Sequence, residues 1–113
     1  MPESPEVARG GVWLTDLPEI PPRPAVVVTR TEGNARRRNV IVAVVTSYYP
    51  PRRPSEIGLD ERNGLQHAST LQTNELYTVK VSRLIEHRGA LDAEQGQSLN
   101  AALRFTLDLD YER

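Results

Sequence analysis

Two runs of the chain decide its fold: Arg23-Pro24-Ala25-Val26-Val27-Val28-Thr29 and Asn39-Val40-Ile41-Val42-Ala43-Val44-Val45-Thr46. Both are apolar at odd and even positions alike and rich in β-branched residues, the composition of strands buried on two faces. Such strands need cover from a helix, a second sheet or barrel closure. Between them runs an arginine-rich connection, Arg30 to Arg38, with Gly33-Asn34 as its turn signal. If the strands pair antiparallel, Arg23 at the start of the first stands beside Thr46 at the end of the second. A guanidinium and a hydroxyl then share one rim of a sheet. Pro22 and Pro24 flank Arg23 and restrict its backbone, so engaging a ligand costs this arginine less freedom.

Before this core, Gly10 to Leu17 reads as a first strand. Val12, Leu14 and Asp16 point one way, and Trp13, Thr15 and Leu17 the other. Trp13, the only tryptophan, belongs in the core. Pro18 to Pro22 then breaks the ladder, because proline cannot donate to it. After the core, Ser47 to Pro54 is a proline-rich loop carrying Tyr48, Tyr49, Arg52 and Arg53. Aromatics interleaved with arginines suit single-stranded nucleic acid, because bases stack on rings while guanidinium groups meet phosphates. Packing of a tyrosine on the sheet edge is the alternative, and at least one ring is expected to be free.

Glu56 to Leu59 reads as a short strand, Asp60 to Gly64 as a polar turn and His67 to Thr73 as a strand. Asn74 to Leu84 is open between a helical turn and a strand, and Ile85 to Leu91 is the last strand. Asp92 followed by Gln95 is a capping-box pattern that starts a helix. Leu99, Ala102, Leu103 and Thr106 form its one-sided stripe, and the helix is expected to run to about Leu107. The expected class is mainly β with one C-terminal helix, a small antiparallel barrel.

With 113 residues the chain has the size of one domain. A flexible tail over residues 1–8 and a single domain over 9–113 are expected. At 38% hydrophobic residues the core is modest, so dimerisation would help. There is no cysteine, which excludes disulfides and thiolate metal sites. The longest apolar run, Val40 to Val45, is too short for a membrane span, and the first residues lack the pattern of a signal peptide. A cytoplasmic protein without membrane association is the expectation. The net charge of -1 conceals a basic block, Arg30, Arg36, Arg37, Arg38, Arg52 and Arg53, opposed only by Glu32. That block fits a polyanionic partner, or else a solvated loop.

No cofactor is expected. His67 and His87 are the only imidazoles, and neither has metal-ligand spacing. There is no glycine-rich phosphate loop and no nucleophile elbow. RNA cleavage asks for less, because RNA carries its own nucleophile in the 2′-hydroxyl. The protein need only align that hydroxyl, neutralise charge at phosphorus and move protons. A guanidinium supplies a fork of donors to phosphate oxygens but is a poor base. Arg23 is therefore assigned charge stabilisation, and the base is left open, with the histidine pair as a lesser acid–base scheme.

These residues, in this order, resemble the MazF/PemK (Kid) toxins of bacterial toxin–antitoxin pairs. The matching stretches are Arg9 to Leu17, Arg23 to Val28, Gly33-Asn34, Val40 to Ser47, Gly64-Leu65, Ser69, the Thr78 and Arg83-Leu84 segment, and the helix with Ala102-Leu103. The resemblance implies an SH3-like barrel of the CcdB/PemK kind with appended helices, usually a homodimer. It implies a metal-independent endoribonuclease that cuts single-stranded RNA at short sequences, and a cognate antitoxin that covers the RNA groove. The family's catalytic arginine and threonine fall on Arg23 and Thr46. Arg30, Arg36, Arg37, Arg38, Ser47, Tyr48, Tyr49, Arg52, Arg53 and Tyr77 are the candidate RNA-binding residues. The chain departs from the family in a shorter connection before Arg23, in Arg30-Thr31 after the first core strand, in Ala68 before Ser69, and in Tyr77 where an arginine is common. Two rival readings are a non-catalytic barrel that binds RNA or only its antitoxin, and a gyrase poison of the CcdB type. The polar ending Asp110-Tyr111-Glu112-Arg113 argues against the second.

Overall fold

A computed structural model describes residues 7–31 and 39–112. Six antiparallel strands follow in chain order: β1 (Gly11–Thr15), β2 (Arg23–Val27), β3 (Asn39–Thr46), β4 (Glu56–Leu59), β5 (Ser69–Lys80) and β6 (Leu84–Ala90). One helix, α1 (Ala93–Leu107), ends the fold. The strands lie in the order β4-β5-β3-β2-β1-β6. The two apolar runs therefore occupy the middle of the sheet, where both faces are covered.

The alternation along β3 divides the core in two. Ala43 and Val45 join Val12, Val26, Leu59, Leu71 and the helix residues Leu99, Ala102 and Leu103. Val40, Val42 and Val44 join Trp13, Leu17, Ala25, Val27, Val79 and Leu84, with Ile20 of the proline-rich connection packed beside them. Helix α1 thus covers one face. The curl of β1, β5 and β6 around the proline-rich connection covers the other. Leu17 is buried rather than wetted, because this second cluster reaches past the end of β1.

The edges β4 and β6 do not pair, so the barrel is left open at a seam. The turn Glu61–Asn63 crosses it. Asn63 Nδ2 donates to the Ala90 carbonyl at 3.0 Å and to Gln95 Oε1 at 2.7 Å. Gly64 follows with φ 84°, and a Cβ there would stand 2.0 Å from the Arg88 carbonyl oxygen. Only glycine permits both that backbone conformation and that approach.

The stretch from Asn74 to Leu84 resolves as the continuation of β5 to Lys80, then a short turn, Val81–Arg83. Its mixed pattern has a physical cause. The β3–β5 register passes from Ala43↔Leu76 to Val44↔Gln72, which leaves a bulge with Asn74 and Glu75 exposed. A bulge resets the two-residue period and hides a long strand from sequence. Asp92 and Gln95 do form the capping box. Among the described residues no helix is long and apolar enough to cross a membrane.

Candidate functional site

Strands β2 and β3 pair as Ala25↔Val44, Val26↔Ala43 and Val27↔Val42. The same register carried outward sets Arg23 against Thr46. On its other side Arg23 is paired with Thr15 of β1. Both Arg23 and Thr46 line one cavity of about 350 Å³, with Ser47, Gly64, Leu65, Gln66, His67, Ser69 and Arg88.

The polar groups of this cavity are largely unspent. Arg23 is half-buried, and its Nε is buried without a hydrogen-bond partner among the described residues. Arg88 Nε is buried too and lies 3.2 Å from Glu86 Oε1 without the alignment of a hydrogen bond. The ion pair at Arg88 is a weak one, because the Glu86 side chain is 61% exposed. Thr46 Oγ1 donates only a long 3.4 Å bond to the Thr70 carbonyl. No carboxylate lines the cavity among the described residues. Two cations, hydroxyls and an imidazole, with the exposed Glu86 as the acid paired to one cation from outside the lining, make an anion site.

The loop beyond Thr46 is fixed by its own network. Thr70 Oγ1 donates to the Tyr48 carbonyl at 2.6 Å. The Tyr48 hydroxyl donates to Glu56, and Gln72 Nε2 donates to the Tyr48 hydroxyl at 3.0 Å. The Arg52 backbone N–H donates to Glu56 Oε1 at 2.8 Å, and its guanidinium lies 4.5 Å from the Tyr48 ring centre. Burial raises the Tyr48 hydroxyl above the ordinary tyrosine value, and Glu56 adds to that. Burial alone would raise Glu56 as well. The bonds from Tyr48, the Arg52 and Arg53 backbone and Gln72 outweigh it and hold the carboxyl below its ordinary value.

The expected site residues therefore separate. Arg23, Thr46 and Ser47 meet at the cavity. Tyr48 is a pinned structural ring, while Tyr49 is 56% exposed and packs beside Gly58 in an adjacent hollow with Arg62. Arg52 serves the Tyr48–Glu56 network, and Arg53 is exposed outside the cavity. Tyr77 packs on the second core cluster opposite Val42, away from the cavity. Arg30 is exposed at the far end of β2, roughly 20 Å from Arg23 at the rise of a strand. Arg36, Arg37 and Arg38 lie outside the described residues.

His67 entered only as half of a lesser acid–base scheme, and Arg88 is the cavity cation that sequence did not assign to the site. Arg88 reaches it because β6 crosses the seam at Gly64, a long-range contact. The pair of glycines, Gly64 and Gly89, was the available sign: a Cβ on Gly89 would stand 2.5 Å from the Asn63 carbonyl oxygen. His87 is elsewhere, edge-on to Trp13 at 5.1 Å.

A model of the PemK-like, MazF-like toxins of type II toxin–antitoxin systems matches residues 8–107. The chain belongs to this toxin family. Its structure is also similar to solved members. Mycobacterium tuberculosis toxin MazF-mt6 superposes with a TM-score of 0.81 at 28% identity, covering 89% of this chain and 99% of that one. An endoribonuclease in complex with its cognate antitoxin from a mycobacterial species gives 0.80 at 19% identity, covering 93% and 98%. MazF from Deinococcus radiodurans gives 0.70 at 21% identity, covering 89% and 94%. The likenesses under 25% identity speak for the fold alone. No curated protein matches the chain.

Proposed function

We propose that this member of the toxin family is an endoribonuclease. It cuts single-stranded RNA at short sequences without a metal ion, and as the toxin of a type II pair it stops translation and growth. The observation that carries this reading is the cavity itself, where Arg23, Arg88, Thr46 and Ser69 surround a space lined by no carboxylate among the described residues.

The chemistry follows from those groups. The scissile phosphate sits between the two guanidinium groups, which meet the charge that develops on its oxygens as the 2′-oxygen attacks. The unpartnered Nε of Arg23 is already desolvated, so little of its hydration remains to be lost when phosphate arrives. Thr46 donates its hydroxyl to a non-bridging oxygen, giving up the long bond to Thr70. Ser47 and Tyr49 continue the strand path, with the exposed Tyr49 ring as a stacking surface.

Partners follow from the same reading. The mycobacterial relative is a complex with a cognate antitoxin, and an antitoxin is the proposed partner here. Exposed Ile85, Phe105, Leu107 and Leu109 support a protein-bound state, either that antitoxin or a second copy in a homodimer. The test is incubation of purified protein with long single-stranded RNA in a chelator, with the cut ends mapped. Discrete cuts at a recurring short sequence are expected. Intact RNA that is nevertheless bound would favour a non-catalytic barrel.

A further inference from the structure

The proposed reaction needs a group that takes the 2′-hydroxyl proton, and neither guanidinium nor threonine is suited to it. We propose that His67 is this base, an inference that rests on the endoribonuclease reading of the cavity.

Three observations carry it. His67 stands on the cavity wall with Arg23, Thr46 and Arg88, whereas His87 is packed against Trp13. Its Nδ1 lies 2.9 Å from the Ala68 carbonyl oxygen, which can only accept. It also lies 3.2 Å from Ser69 Oγ, whose own hydrogen points to the His67 carbonyl at 3.0 Å. Nδ1 therefore carries the proton, and in the neutral ring Nε2 holds the free lone pair. No described residue hydrogen-bonds Nε2. The ring is also held by rigid structure, because Ser69 is buried and paired with Leu59 in the β4–β5 ladder.

The step balances. Nε2 takes the proton from the 2′-hydroxyl as the 2′-oxygen bonds to phosphorus. The bond from phosphorus to the 5′-oxygen breaks, and that oxygen takes a proton from water. The products are a 2′,3′-cyclic phosphate and a 5′-hydroxyl end, and the imidazolium then releases its proton to solvent. The charged groups sharing the cavity wall with His67 are Arg23 from β2 and Arg88 from β6.

The test uses a short RNA holding one mapped cut site, with wild type, His67→Ala, His67→Gln and Arg23→Ala. Both His67 variants should lose about 10²- to 10⁴-fold in kcat. Their affinity for the same oligonucleotide with a 2′-deoxy sugar at the cut should stay within about twofold of wild type, since only the transition state is affected. The acid limb of the wild-type pH–rate profile should be missing in His67→Ala. The variant should also stay slow on a substrate whose 5′-oxygen is replaced by sulfur, a leaving group that needs no acid. Restoration to wild-type rate on that substrate would make His67 the acid and overturn the assignment. His67→Ala within about threefold of wild type, beside an inactive Arg23→Ala, would overturn the base role and leave the nuclease reading standing. Wild-type protein that leaves the RNA intact would overturn both.

Discussion

The carboxamides of Asn63 and Gln95 are hydrogen-bonded in both directions, at 2.7 Å and 3.1 Å, across the open seam of the barrel. Each also serves its own element: Asn63 Oδ1 accepts from the Asp60 N–H, and Gln95 Oε1 from the Asp92 N–H. One buried amide pair thus joins the turn after β4 to the start of α1. The loop that leaves this turn, Gly64 to His67, forms a wall of the candidate site.

Removing either partner should therefore act on stability and site together. Gln95→Ala removes two hydrogen bonds of the buried Asn63 amide and leaves those to Ala90 and Asp60, which costs about 1–3 kcal/mol. A fall in Tm of roughly 4–8 °C per kcal/mol is expected for a domain of this size. Thermal unfolding of Gln95→Ala and Asn63→Ala checks it, and an unchanged Tm in both would show that the seam is held elsewhere.

Gly64→Ala should be worse than its size suggests. The residue has φ 84°, and the added methyl would meet the Arg88 carbonyl oxygen at 2.0 Å. The backbone of β6 must move, and Arg88 with it. RNA cleavage should fall even in the fraction that folds, which circular dichroism and activity measured on the same sample will show.

Much of this was legible in the sequence because it depended on local pattern. The unbroken apolar runs marked β2 and β3, and Asp92 with Gln95 marked the helix start. Antiparallel pairing of β2 and β3 was the condition on which Arg23 and Thr46 shared a rim, and the structure meets it. What escaped was non-local. The β5 bulge broke the period from which Asn74 to Lys80 could have been read as strand. Arg88 reaches the site through the contact between Gly64 and β6, and which histidine of the pair stands there depended on the loop before Ser69. Tyr48 was among the candidate RNA-binding rings because its acceptor, Glu56, lies beyond the loop in β4.

The Tyr48–Glu56 network predicts a pH dependence. The Glu56 carboxyl is held below its ordinary value in the folded protein. Its stabilising contribution is therefore present above the unfolded pKa of about 4.3 and is lost as pH falls through the lower folded value. Glu56→Gln should lower Tm at pH 7 and approach wild type as the solution is acidified below that window. A Tm deficit that stays constant from pH 7 to strongly acid solution would contradict the assignment.

Arg88 should behave as a phosphate-binding cation of the site. Arg88→Ala should reduce kcat/KM by about 10²- to 10³-fold, in the range of a lost transition-state donor. Arg88→Lys should recover only part, because an ammonium lacks the planar fork. Cleavage rates of the two variants with matched Tm values test this, and equal activity of Arg88→Ala and wild type would remove Arg88 from the mechanism.

The most direct measurement of the central claim compares purified wild type, Arg23→Ala and Thr46→Ala on one long single-stranded RNA in a chelator. The account predicts discrete cuts at a short recurring sequence by wild type and none by either folded variant. Equal cutting by all three, or RNA left intact by wild type, would contradict it.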